Sequence, residues 1–381
     1  MHDDSGALCS ALSKEISTDV NSENANKEIT VAIDAMGGDN GAEVVVDGVA
    51  RAFARGLKAN ILFVGDRDKL APLVENHRGI KNAEIRHASN VVAMTDKPMH
   101  VVRRGHDTSM WNAVDAVKSG DADAVVSCGN TGALMAVALF QLKKIEGVDR
   151  PAVTALWPTQ RGRTVVLDVG ANVEADEKQL VQFAIMGEAF FRALMGAEKP
   201  TVGLLNVGAE DLKGHELIRT AARVLREADP EMAFKGFVEG NDISGGAVDV
   251  VVTDGFTGNV ALKSAEGAAR LVGGWVKETL TGTLNAKLGA LLMAPGLRKL
   301  KDRIDPSSVN GGVFLGINGV VVKSHGGSDA RGVASAVQMA ASLARSSFRD
   351  EVAQTVAAVM ARSDALARRR ETESDVKVAA Q

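Results

Sequence analysis

Six short clusters of glycine and polar residues hold the groups in this sequence that could do chemistry. They are MGGDN from Met36, CGNTG from Cys128, GANV from Gly170, GAEDLKG from Gly208, DGFTGN from Asp254 and SHGGSD from Ser324. Asp34 stands just before the first, which holds Gly37, Gly38 and Asp39; Gly129, Asn130, Thr131 and Gly132 belong to the second. Asp168 stands just before the third, which contains Asn172, and Lys213 is next to last in the fourth. Asp254, Thr257 and Asn259 make the fifth, with Lys263 one helical turn further on, and His325 stands in the sixth. Glycine lets a backbone approach a ligand closely, and the start of a helix offers free N–H groups and partial positive charge. The chemistry suggested is the holding of a phosphate-like anion. These turns contain no G-x-x-x-x-G-K-[ST] and no G-x-G-x-x-G, so nothing in them marks a nucleotide site.

Each residue also has a plainer reading. Asparagine is a favoured helix cap, and on pattern alone that is the better account of Asn259. Asp34, Asp168 and Asp254 all end apolar runs, where aspartate caps helices or orders turns more often than it binds a metal. Asn130 and Thr131 suit a tight turn as well as an anion contact. Lys213 is equally a solvated lysine, Arg103 and Arg104 a solvated pair or a contact for an anion or an acidic protein, and His325 a structural imidazole.

Behind every cluster runs the same sequence pattern. A short apolar run rich in Val, Ile and Leu comes first, as in TVAIDA, ADAVVS and TVVLDV, and a helical stretch comes after. Runs apolar on both faces are those of a covered parallel sheet, and their alternation with helices predicts an α/β fold with helices on both faces. In such sheets ligands bind beyond the carboxyl ends of the strands, so all six clusters are expected at those ends, with several of them facing one cleft.

Bulk composition narrows the class further. The chain has 381 residues, 45% hydrophobic and 24% charged, enough for a large core in one domain or two. A net charge of −4 does not favour nucleic acid as a partner. Two cysteines argue against a disulfide framework and for a cytoplasmic setting. Residues 1–28 are polar and read as a disordered extension rather than a signal peptide. A single α/β domain is expected over 29–346, then a helix and a solvated tail over 347–381.

The motifs themselves are recognisable. IDAMGGDNG at Ile33, TSM at Thr108, SCGNTGALM at Ser127, LDVGANV at Leu167, GLLNVGAEDLKG at Gly203, DVVVTDGFTGNVALK at Asp249 and KSHG at Lys323 occur in order. With them the chain closely resembles the PlsX family, the acyl-(acyl carrier protein)–phosphate acyltransferases of bacterial phospholipid synthesis. The resemblance runs from about Ile29 to Ser346. It implies a three-layer α/β/α sandwich with a mostly parallel, Rossmann-like sheet, related to the folds of phosphate acetyltransferase and isocitrate dehydrogenase. It implies a homodimer without a cofactor or metal, moving a long-chain acyl group from acyl carrier protein to inorganic phosphate. Lys213 and Asn259 fall at the family's key lysine and asparagine, with the other cluster residues as phosphate or substrate contacts. Cys128 stands where the family usually has alanine, which argues for direct attack by phosphate. Among the departures, His106 and Asp107 occupy a stretch that is often more basic.

Three other readings are distinguishable. A dehydrogenase would need a dinucleotide site, a non-catalytic membrane-surface protein would not need the loops, and a phosphate acetyltransferase-like enzyme would use acyl-CoA. One segment breaks the strand-and-helix pattern. Over 276–305, Leu284, Leu288, Leu291 and Leu292 share a helical face, Pro295–Gly296 is expected to turn the chain, and Leu297, Leu300 and Ile304 form a second stripe among Arg298, Lys299, Lys301 and Arg303. On pattern alone this amphipathic hairpin suits the core or a dimer interface as well as a membrane surface. The resemblance instead implies peripheral contact with an anionic membrane and a link to a membrane glycerol-phosphate acyltransferase.

Overall fold

Runs of Val, Ile and Leu bury both faces of a strand, and here they pair into one eleven-stranded sheet. The computed structural model describes residues 28–297 and 312–379. Its strands are β1 Thr30–Asp34, β2 Asn60–Gly65, β3 Ala83–His87, β4 Ala124–Ser127, β5 Ala152–Thr159, β6 Gly162–Leu167, β7 Thr201–Leu205, β8 Ala233–Val238, β9 Val250–Val252, β10 Gly312–Leu315 and β11 Val320–Lys323. Between them lie α1 Gly41–Ala54, α2 Arg67–Asn76, α3 Pro98–Arg104, α4 Ser109–Ser119, α5 Thr131–Leu142, α6 Glu177–Met195, α7 Glu216–Ala228 and α8 Gly240–Gly245. The remainder are α9 Gly255–Thr281, α10 Leu284–Leu292, α11 Ala330–Arg345 and α12 Phe348–Ala379.

Helices cover both faces, making three layers. On β1, Val31 and Ile33 point into a core shared with α1, α6, α11 and α12, which includes Phe63, Phe183, Phe190 and Phe348. Ala32, between them, faces the opposite layer with Trp111, Leu134 and Val137 of α4 and α5. This period-two alternation is what a strand buried on both sides requires. A separate cluster, with Trp157, Val166 and Ile243, fills the second layer over β6 and β9.

Sheet order decides how the six clusters are grouped. The strands run β3-β2-β1-β4-β11-β10-β5-β6-β9-β7-β8. Pairing is parallel from β3 to β11 and again from β6 to β8, but β10 is antiparallel to both neighbours and β5 antiparallel to β6. The two parallel blocks therefore run in opposite senses. All six clusters do follow strand carboxyl ends, as the sequence pattern predicts. They do not gather at one edge of the sheet: the ends of β1, β4 and β11 form one group and those of β6, β9 and β7 another.

Two boundaries differ from expectation. Helix α12 continues to Ala379, through nearly all of the 347–381 segment expected to end in a solvated tail, and buries Phe348, Val352, Val356 and Val359 at its start. Pro295 and Gly296 lie in a helical segment, Ala294–Leu297, because the break comes earlier, at Met293. Proline is well tolerated in a first helical turn, where its missing N–H has no partner to lose. The second leucine stripe and its cations, at 298–304, lie outside the described residues. Among the described residues no helix is long and apolar enough to cross a membrane.

Candidate active site

In the first group the loops after β1, β4 and β11 are stitched together by their own polar atoms. Ser127 donates its hydroxyl to Asp34 at 2.6 Å and accepts from the Gly129 amide at 3.0 Å. Asp39 N–H donates to the Gly326 carbonyl at 2.9 Å, and the Asn40 side chain donates to Ser328 O at 2.9 Å. Gly38, at φ +98, fits between Cys128 and Gly326; a Cβ there would lie 2.8 Å from Cys128 Cβ. Asn130 caps α5 by accepting from Ala133 N–H at 3.1 Å, and its amide donates to the carbonyls of Ala93, Met94 and Asp96. Thr131 and Gly132 begin that helix and are exposed, as are Asp39 and His325, whose Nδ1 accepts from Gly327 N–H at 3.1 Å.

Buried ionisable groups lie beneath this group. Burial raises the Asp34 carboxyl above its usual range, against the hydrogen bonds it accepts, Ser127's among them. Lys323, 7% exposed, ends β11, and burial lowers its pKa while nearby Cys128, Asp34 and Asp39 oppose that shift. Its ammonium donates to the carbonyls of Cys128 and Ser324. Burial also pushes the Cys128 thiol up to about 11, so near neutral pH it is protonated and inert. Sequence reasoning passed over Lys323 as a site residue; a lysine closing the apolar run GVVVK was the available signal.

The second group is built differently. Asp168, fully buried, accepts from the N–H groups of Val153, Gly170, Ala171 and Asn172 and from the Asn172 side chain, all within 3.1 Å. Its carboxylate orders the loop after β6 and has no face left for another ligand. Asn172 ties that loop to Pro151 O at 2.8 Å and accepts from Gly255 N–H at 2.7 Å, so the loop and the start of α9 form one unit. Asp254 is the N-cap of α9: it accepts from Thr257 N–H at 2.8 Å and from the Thr257 hydroxyl at 2.7 Å. Asn259 is therefore not the cap. It lies one turn into the helix, exposed beside Gly170, and its amide has no hydrogen-bond partner among the described residues. Lys263 is on the following turn, paired with Glu266 at 2.9 Å.

Lys213 comes from the loop after β7, the strand beside β9. Asn206 anchors this loop by donating to Lys213 O at 3.0 Å, and Gly214, at φ +83, lies against Asn206 where no Cβ would fit. The ammonium is exposed and 2.9 Å from Glu210. That hydrogen bond and charge raise the lysine's pKa, so it is a cation throughout the neutral range. Strands β7 and β9 pair directly, so the segments that carry Lys213 and Asn259 leave neighbouring strands. The loops after β6 and β7 and the first turns of α9 expose Val173, Val207, Leu212 at 86%, Phe256 at 63% and Val260. The arrangement offers a cation and a neutral amide donor on a rim of apolar surface.

Comparison with known proteins agrees with this architecture. A family model described as "Fatty acid synthesis protein" matches residues 29–351. The phosphate acyltransferase of Maricaulis maris is 54% identical over 327 residues, covering 85% of this chain and 93% of that protein. The phosphate acyltransferase of Caulobacter vibrioides is 52% identical over 328 residues, covering 86% and 91%. Among solved structures, a phosphotransacetylase from Streptococcus pyogenes superposes with a TM-score of 0.57 at 17% identity, covering 89% of this chain and 98% of that one, which speaks to the fold alone. With a family model spanning most of the chain and relatives more than half identical over nearly their full length, this chain belongs to the phosphate acyltransferase family and is an acyltransferase.

Proposed function

We propose that the enzyme transfers a long-chain acyl group from an acyl carrier protein thioester to inorganic phosphate, giving acyl phosphate and the free carrier thiol. One observation supports this most: the exposed cation Lys213, held only by a surface pair with Glu210, and the unpartnered amide of Asn259 are carried by segments that leave the paired strands β7 and β9 and that also expose apolar side chains. A phosphate oxygen attacks the thioester carbonyl, the carbonyl oxygen takes the negative charge, and collapse expels the thiolate. Asn259 donates its amide to that oxyanion, where preorganised donors contribute most. Lys213 exchanges Glu210 for the phosphate dianion and holds it in line. The thiolate is a weak base, so its departure needs little acid assistance. Val207, Leu212 and Phe256 cover the alkyl chain and keep water from the mixed anhydride. Asp168, Asn172, Asp254 and Thr257 act through backbone geometry, and Cys128 stays out of the reaction. Incubation with palmitoyl-carrier protein and labelled phosphate tests the proposal. Labelled acyl phosphate is expected, and release of free palmitate alone defeats it.

Two further apolar faces support a reading of its location. Helix α9 exposes Leu271, Val272, Trp275 and Val276, and α10 exposes Leu284 at 84%, Leu288, Leu291 and Leu292 at 78%. In this reading α9 meets a second copy of the chain in a homodimer, while α10 dips its leucines into an anionic membrane surface. The enzyme then works in the cytoplasm, at the membrane face where a glycerol-phosphate acyltransferase consumes its product.

A further inference from the structure

Helix α3 is a two-turn basic element that packs on α5 and buries Val101, with its charged face unpaired among the described residues. The stretch KPMHVVRR, from Lys97 to Arg104, contains three cations and a histidine but no acid. Lys97, His100, Arg103 and Arg104 are exposed, and among the described residues none of their side chains has a hydrogen bond or an ion pair. At seven residues the helix spreads these groups along about 10 Å. They do not converge on a point, as groups holding a single phosphate would.

The helix is firmly held at both ends. At the first, Asn130 pins the carbonyls of Ala93, Met94 and Asp96, and Pro98 packs so closely on Gly132 that a Cβ there would lie 3.1 Å from the proline ring. Beyond the other end, His106 stacks on Trp111 at 4.1 Å, and Trp111 meets Phe140 at 5.8 Å. The Lys143 ammonium lies over the Phe140 ring at 5.3 Å. Met94, Met99 and Phe140 are exposed along this strip. Its two acids are already engaged: Asp96 accepts from Ala93 N–H at 2.8 Å, and Asp107 accepts from the Asn90 side chain. The result is a rigid surface, cationic along its middle and apolar at its ends, beside the exposed loop of the first group.

We infer that this strip docks an acidic face of the protein that carries the acyl thioester, an inference that rests on the proposed reaction. Spread cations with scattered apolar anchors fit an acidic helix, whose carboxylates recur every turn and whose hydrophobic residues fill the gaps. Complementary charge speeds encounter and selects the partner more than it tightens the complex. A lipid surface fits less well, because the contiguous leucine face that insertion needs is on α10 and not here.

Single exposed ion pairs contribute little, so the test reverses two charges together. Binding of fluorescent acyl-carrier protein to Arg103→Glu/Arg104→Glu is followed by anisotropy without phosphate, so that no turnover is needed. The Kd is expected to rise at least tenfold and to lose most of its salt dependence. An acid-to-lysine exchange on the carrier should restore binding. Turnover of palmitoyl-pantetheine with phosphate is expected to stay at the wild-type level, because this thioester has no protein to dock. The neutral Arg103→Gln/Arg104→Gln pair, intermediate in Kd, provides the same test if the reversal variant melts early. An unchanged Kd overturns the inference. So does a variant that leaves phosphatidylglycerol vesicles while keeping its carrier affinity, which would make the strip a lipid contact. Failure of the wild-type enzyme to form acyl phosphate from either thioester would instead defeat the proposed reaction, and the binding measurement would still decide the docking surface.

Discussion

Gly258 lies against the carbonyl oxygen of Asp168, so close that no side chain fits between them. Through this contact, and the 2.7 Å bond from Gly255 N–H to Asn172 O, the first turn of α9 is locked to the loop after β6. Asn259 follows directly on that turn, so its amide is aimed by backbone packing. Gly258→Ala is expected to push α9 off the loop, since the obstacle is backbone and cannot rotate away. Overpacking of this kind costs roughly 1–3 kcal/mol. A lowered melting temperature together with a fall in turnover is the expected pair of results; wild-type values of both would show that the contact does not position the amide.

Lys213→Ala and Asn259→Ala test the two donors directly. Both side chains are exposed and outside the core, so the variants should fold and melt as the wild type does. Losing one preorganised donor costs about 100- to 1,000-fold in rate, and each variant is expected to lose that much of its acyl phosphate formation. Normal turnover in either one removes that residue from the mechanism.

Cys128 is predicted to be a bystander. With its thiol at about 11, roughly one molecule in a thousand holds a thiolate at pH 8. Native enzyme at that pH should resist iodoacetamide, show no acylated cysteine by mass spectrometry, and keep most of its activity as Cys128→Ala. The folded pKa is raised by burial above the thiol's ordinary value of 9.0. The contribution of the buried thiol to stability is therefore complete below about pH 9 and declines as pH rises towards 11. Denaturant titrations should find Cys128→Ala less sensitive to alkali over that window. A trapped thioester, with loss of turnover in the variant, would make the residue a nucleophile.

The membrane reading depends on α10. All of its leucines are exposed, so Leu288→Glu with Leu292→Glu should leave the fold of the chain intact. Sedimentation with anionic vesicles is expected to fall to background while turnover in solution persists. Unchanged sedimentation assigns membrane contact to another surface, and a shift from dimer to monomer assigns α10 to the subunit interface.

Much of the architecture was legible before any coordinates. The apolar runs TVAIDA, ADAVVS, TVVLDV, VGLLNV, VDVVVTD and GVVVKS each became a strand followed by the expected polar cluster, because hydrophobic continuity and glycine-rich punctuation are local properties. Asn259 was harder to read. A local pattern could not tell whether Asp254 or Asn259 capped α9, since both types are good caps, and only the hydrogen bonds from Thr257 decided it.

The sequence by itself therefore determined the fold class, the family, and the placement of the polar clusters at strand ends. Tertiary structure alone decided which clusters share an edge, because strand order depends on pairing between residues far apart in the chain. The antiparallel strands β10 and β5 separate the loops of β1, β4 and β11 from those of β6, β9 and β7. Folding also decided which polar groups were spent within the protein. Asp168, a substrate contact by resemblance and a turn-ordering residue by pattern, is saturated by backbone donors and the Asn172 amide, whereas Asn259, the plausible cap, is left with an unpartnered amide. Hydrogen-bond capacity is shared across the whole fold, so a residue's type shows what it can donate, and only its packed neighbours determine whether anything is left to give.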